Sequence, residues 1–528
     1  MPKKRVMILT AVVIFALVSW ALPAAGKELL LFDKPLTLLG YATQGFGFSL
    51  ATNEHYDTER GLQTALMNLF GEADYKPADQ LKFYTSARLS VDWAYILNSN
   101  RDSWNDKLFN ESRKFLFVDA NYWQILNEAH LTWTPGNFLF RLGKQIASWG
   151  EMDFFRLMDQ INPLDTRRGF ADVEFENTII PTWLLRADFY PRVTAKWLQD
   201  SAIEFVWNFN ADHIYDQGIR LGNDEGGIWS PNIIIPDPTS PTGQVRVASQ
   251  IGTYDTPSRF SSKGYEYALR LKAVIYDTVV TLNGFYGYEN SPISKFANGA
   301  NPFPVVTSAS NGDPLLHPDF TGKYPRFRFF GMTASRDIPF LKTSALGNVA
   351  PVMRLETWYA YKNTFSNALS TFTPPPPSPN TFEKFDEFRA AVGFDWKIKV
   401  AALNPKAYFA ISPQIYFRWI DLPSPHDGDW YDTSLTKVGK TMWQGSLILS
   451  TTYFNAKLAP SFAWLHDFYY NSDFFRIQTT YDWSSNWRFT IGALLFRGTD
   501  LPDFKANNGF ALFENKNQLF FKIMYKWS

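Results

Sequence analysis

No cysteine occurs among the 528 residues. That excludes disulfides, thiolate-bound zinc, iron–sulfur clusters, thioether-attached haem, a lipidated cysteine and a cysteine nucleophile. Net charge is lacking too, with 51 Lys and Arg against 51 Asp and Glu. A nucleic-acid binder needs a basic face to neutralise phosphates, so no nucleic-acid partner is expected. Beyond the N-terminal segment no run reaches the ~18 consecutive apolar residues of a membrane helix, which excludes a helix bundle. Histidine is scarce, at 6 residues, and neither GxSxG nor HExxH occurs. No enzyme, metal site or cofactor is therefore expected. Glycine (31) and proline (32) are used at ordinary rates, which argues against collagen and against extended disorder.

What is abundant is aromatic. The chain carries 47 Phe, 25 Tyr and 19 Trp, 17% of its residues, yet its mean hydropathy is only −0.22. An aromatic-rich chain that is polar on average suits a transmembrane β-barrel, whose strands alternate lipid-facing and water-facing residues. Residues 1–26 read as an export signal: Lys3, Lys4 and Arg5, then the apolar Val6–Leu22, then the small Ala24, Ala25 and Gly26. The rest, 27–528, reads as one outer-membrane barrel domain.

Alternation is clearest in 81–97. Leu81, Phe83, Thr85, Ala87, Leu89, Val91 and Trp93 share one face, and Lys82, Tyr84, Ser86, Arg88, Ser90 and Asp92 share the other. The pattern recurs around 203–209, 265–272, 353–362, 388–397 and 475–483. Short turns alternate with long connections, as in barrels with periplasmic turns and long extracellular loops. Counting strands predicts an all-β, antiparallel transmembrane barrel of about 18 strands. Without the windows 36–50 and 61–75 the count is about 16. The last strand alternates Phe521, Ile523, Tyr525 and Trp527 with Lys522, Met524 and Lys526, resembling the signal read by the outer-membrane barrel assembly machinery.

Turning the polar faces inward predicts a charged lumen. The selectivity candidates are Arg88, Arg141, Arg270, Arg326, Arg328, Arg354, Glu356, Arg389, Arg418 and Arg476. These charges either pair across neighbouring strands and brace the wall, or form a ladder for an anionic or amphipathic solute. The long loop 148–182 is the constriction candidate. It mixes apolar residues with Trp149, Glu151, Asp153, Arg156, Asp159, Asn162, Asp165, Arg167 and Arg168, and is expected to fold into the lumen rather than cap the outside.

This loop also carries a resemblance. Gly143-Lys144-Gln145, Trp149-Gly150-Glu151 and Asp159-Gln160-Ile161-Asn162-Pro163-Leu164-Asp165 resemble the "GRQ…WG…NPxD" core of the domain of unknown function 1302 family. Ile180-Pro181 and Arg354-Leu355-Glu356 are similar to further positions of that family. The resemblance implies a Gram-negative outer-membrane barrel and carries over no substrate or catalytic residue. The expected function is a porin-like channel for passive passage of small organic solutes, hydrophobic or amphipathic. Its expected partners are outer-membrane lipid, the assembly machinery and the solute. The alternative is an outer-membrane scaffold or surface-binding protein without transport.

Overall fold

The computed structural model describes residues 27–49, 61–94, 125–164, 178–193, 195–210, 260–296, 320–343, 347–367, 381–423, 430–432, 437–498 and 509–527, with short pieces of 220–255 and 305–316. The predicted signal, 1–26, and the loop residues Asp165, Arg167 and Arg168 lie outside the described residues.

A closed antiparallel barrel of 18 strands is formed. The strands are β1 (Lys34–Ser49), β2 (Leu66–Ala78), β3 (Leu81–Asp92), β4 (Leu126–Trp133), β5 (Phe138–Gln145) and β6 (Thr182–Phe189). Then come β7 (Leu198–Asn208), β8 (Glu266–Ile275), β9 (Thr278–Tyr288), β10 (Arg326–Asp337), β11 (Val352–Ser366) and β12 (Phe382–Ile398). The barrel ends with β13 (Phe409–Ile420), β14 (Thr441–Ser450), β15 (Leu458–Asp467), β16 (Ser472–Asp482), β17 (Trp487–Arg497) and β18 (Gln518–Trp527).

Each strand pairs with its chain neighbours, and β1 closes the ring on β18, from Gly40 opposite Trp527 to Ser49 opposite Gln518. Closure removes every open edge. The seam needs a glycine: a Cβ on Gly40 would lie 2.4 Å from the Trp527 ring and 2.4 Å from the Phe70 carbonyl oxygen. A short strand, Lys27–Leu31, pairs with the start of β1 and prolongs the line of β18 below its end.

The outer face carries the expected belt. Leu142, Ile203, Leu271, Leu282, Ile415, Ile477 and Ile491 are exposed along its middle. Trp133, Tyr190, Trp197, Tyr276 and Trp483 ring the short-turn end, and Tyr267, Tyr286, Tyr359, Tyr361 and Trp443 the long-loop end. Aromatic rings at both rims match the two membrane–water interfaces. At the long-loop end the connections 209–265 and 289–325 interleave in two small four-stranded sheets.

Candidate functional site: a constriction across the lumen

The loop after β5 begins at a backbone feature that only glycine tolerates. Gly143 has φ +135°, and a Cβ there would lie 2.2 Å from the Ala129 carbonyl oxygen. Lys144 donates to the Leu126 carbonyl at 2.7 Å, and the Gln145 amide to the Leu184 carbonyl at 3.1 Å. The chain is thereby clipped to both neighbouring strands just before it leaves the wall.

Two side chains then fold the loop on itself. Asp159 Oδ1 accepts from the Ser148 hydroxyl (2.9 Å) and from the backbone N–H of Trp149 (2.6 Å) and Gly150 (2.9 Å). Gly150 is needed because a Cβ would sit 2.5 Å from the Asp159 carboxylate. Asn162 joins the loop's two ends. Its Oδ1 accepts from Ala147 N–H at 2.7 Å, and its Nδ2 donates to the carbonyls of Gln145 (3.1 Å) and Ile180 (3.0 Å) and to Thr182 Oγ1 (3.3 Å). The motif residues are thus the loop's own scaffold. Polar groups removed from water must find such partners.

The folded loop crosses the lumen and docks on the wall beyond. Trp149, 1% exposed, donates its indole N–H to Glu204 of β7 at 2.8 Å. Arg270 of β8 lies 5.9 Å from its ring. Glu356 of β11 accepts from the backbone N–H of Glu151 and, at 3.0 Å, of Met152. Arg354 donates to the Glu151 carbonyl, to Asp153 (2.7 Å), to Asp395 (2.8 Å) and to Ser412 (3.2 Å). Gln414 also donates to Asp153. Phe155 stacks on Tyr416 with centroids 5.1 Å apart. Met158 fills the space over Gly331 of β10, where a Cβ would meet its Sδ at 2.7 Å.

Arg156 is bonded within the loop, donating to the Asn162 carbonyl at 3.0 Å. Burial lowers its guanidinium from the ordinary value, and the nearby Asp159 pulls it back up. A guanidinium still keeps its charge.

On the extracellular side of this crossbar lies a cavity of about 420 Å³. Phe154, Phe155, Arg156 and Leu157 of the loop form one wall. Arg389, Tyr416, Arg418, Met442, Gln444 and Asp467 form the barrel side, with Asp432, Tyr470, Phe510 and Phe513 contributed by outer connections. Its charges are braced: Glu387 accepts from Arg389 and Arg418 at 2.6 Å each, and Arg418 reaches Asp432 at 2.8 Å. The Arg389 guanidinium also stacks 4.5 Å from the Trp358 ring. The Tyr470 hydroxyl, buried on a connection outside the strands, has its pKa raised by that burial.

Of the remaining predicted positions, Arg88 (5.6 Å from the Phe70 ring), Arg141 (3.1 Å from Thr132 Oγ1) and Arg476 (3.0 Å from Gln478) are on inward faces away from the crossbar. Arg326 and Arg328 are corrections. In β10 it is Phe327 and Phe329 that turn inward, to a core shared with Trp149, Met158 and Trp358. Arg326 and Arg328 therefore face outward at the long-loop rim. The segment Arg-Phe-Arg-Phe-Phe has aromatics on both faces, so polarity does not reveal its inward side. Reading the sequence alone also missed Glu204, Gln414 and Tyr416 as partners of the loop, and Phe510 and Phe513 in the turn Gly509–Lys516. Alternation gives a wall residue's face and no information on which distant segment will cover it.

Fold and site together define a porin-like transmembrane β-barrel with an inward constriction loop. The chain belongs to the family described as "Protein of unknown function (DUF1302)", whose model matches residues 52–526. No curated protein matches the chain. Among solved structures, the chain is similar to OmpT, an outer membrane protein of Vibrio cholerae, at 9% identity, covering 94% of this chain and 98% of that one with TM-score 0.37. It is also similar to Pseudomonas aeruginosa OpdK with vanillate, at 7% identity, 94% and 99% coverage and TM-score 0.43. Acinetobacter baumannii OccAB3 shows 8% identity, 94% and 100% coverage and TM-score 0.44.

Proposed function

We propose that this chain is a passive outer-membrane channel for small amphipathic organic solutes, with no catalytic role. The observation that carries the reading is the crossbar and the cavity against it, with apolar rings on one side and braced charges on the other. A barrel of 16 to 18 strands leaves an aqueous lumen, so a loop laid across it sets the bore. A solute with an apolar body and a polar end finds both surfaces in the cavity. Arg389, Arg418 and Asp432 there belong to one ion-paired group with Glu387, which favours orienting a polar end over strong selection for one sign of charge.

The test is single-channel current in planar lipid bilayers, before and after deletion of Asp153–Asp172. Steady conductance that rises on deletion is expected. Absence of current in both forms would overturn the channel and favour a scaffold or surface-binding protein.

A further inference from the structure

We propose that the outer wall between β7 and β11 holds one phosphorylated glycolipid of the outer leaflet. The site is built from the two arginines that break the inward rule. Arg326 and Arg328 share the outward face of β10 and, at the strand rise of about 3.3 Å per residue, stand roughly 7 Å apart. Each is held by tyrosine. The Arg326 guanidinium lies 3.9 Å from the Tyr288 ring centroid and 5.1 Å from that of Tyr286, and Arg328 lies 4.5 Å from Tyr361. Arg326 is further fixed by donation to the carbonyls of Tyr265 (2.8 Å) and Lys263. The exposed Lys263 brings a third cation. Among the described residues neither arginine has a carboxylate partner. Asp386, on the same rim, is already held by the Tyr359 hydroxyl at 2.6 Å and the Lys362 N–H at 2.9 Å.

Cations on a lipid-facing surface are costly unless they reach an anion or the interface. These two stand at the extracellular rim, where the long loops place the outer leaflet. Their planar fork suits a phosphate oxygen pair better than a lone ammonium would.

Directly below runs an apolar groove of about 570 Å³, open to the lipid and lined by Phe205, Tyr267, Leu269, Gly284 and Phe330. Gly284 leaves the groove floor empty, because a Cβ there would touch only the Phe330 ring, at 3.8 Å. Phe330 is 76% exposed and forms its edge. An apolar groove below and guanidiniums with no carboxylate partner among the described residues above match an acyl chain joined to a phosphorylated headgroup.

The inference rests on the outer-membrane setting and not on solute passage, so channel current and lipid binding can fail separately. The experiment is native mass spectrometry of the full chain in non-ionic detergent, with bisphosphorylated lipid A, its dephosphorylated form and phosphatidylglycerol as probes. One lipid A per chain is expected. Affinity should fall at least about tenfold in the R326Q/R328Q double variant and for the dephosphorylated probe, since charge-assisted hydrogen bonds are lost. G284L, which fills the groove with a side chain facing lipid, should weaken binding while R326 and R328 remain. Heat-modifiable migration in SDS gels checks that each variant folds as a barrel. Equal binding of lipid A by wild type and R326Q/R328Q would overturn the site. Equally tight binding of phosphatidylglycerol would overturn the glycolipid as its occupant. A wild-type mass of two or three chains that drops to one in G284L would assign the groove to a second copy and overturn the lipid.

Discussion

Asn162 shows how much one side chain can organise. It makes four hydrogen bonds at a buried position, and they tie the loop's start to its end. Asn162→Ala would take the side-chain partner from one N–H, two carbonyls and the Thr182 hydroxyl, at about 1–3 kcal/mol for each group left unsatisfied. The expected outcome is a loosened crossbar inside an intact barrel, read as faster proteolysis within 148–164 and noisier channel current. Unchanged protease resistance would refute the tie. Arg418 is a different case, because it neutralises Glu387 and Asp432 together. Arg418→Gln leaves buried charge behind, with an expected loss of about 3–5 kcal/mol. The temperature at which the heat-modifiable band shifts should fall, and an unshifted temperature would contradict the brace. These residues were partly legible. Asn162 stood out in a motif and Arg418 in an alternating strand, whereas Arg326 and Arg328 were misplaced because charge alone does not tell lumen water from interfacial water.

The strands were the easiest elements to read, since a half-wet sheet must alternate and a two-residue period leaves a visible mark. The loop between β5 and β6 was legible as unusual in length and motif. Its docking surface was hidden, because the partners sit on β7, β10, β11 and β13 and share no sequence signal with it. Two glycines separate inside from outside. A Cβ on Gly331 would press on Met158, at 2.5 Å from its Cε, whereas one on Gly284 faces lipid. Gly331→Ala should therefore shift the loop and change conductance, and Gly284→Ala should leave conductance as in the wild type. Identical currents from the two variants and wild type would show that Met158 does not set the bore.

The whole-molecule reading of an antiparallel barrel of about 18 strands agrees with the structure, where 18 close on themselves. The first two windows, on which the choice between 16 and 18 turned, form β1 and β2. In β1 the alternation is weakened by Gly40, Gly45 and Gly47: Gly40 lets the Trp527 ring and the Phe70 carbonyl come close, and Gly47 leaves room for the Gln518 side chain. Gly40→Val would drive a branched side chain into the Trp527 ring. The expected outcome is a lower yield of the heat-modifiable barrel on refolding, and a normal yield would show that the ring can move aside.

The crossbar also bears on timing. Met152 and its acceptor on Glu356 are 204 residues apart, and contacts so distant in sequence form late because the intervening chain must first be ordered. Trp149 needs only β7 for its bond to Glu204, but the loop's contacts to Arg354, Glu356 and Gln414 require β11 and β13. The crossing is therefore complete only in a wall that already holds strands from both halves of the chain.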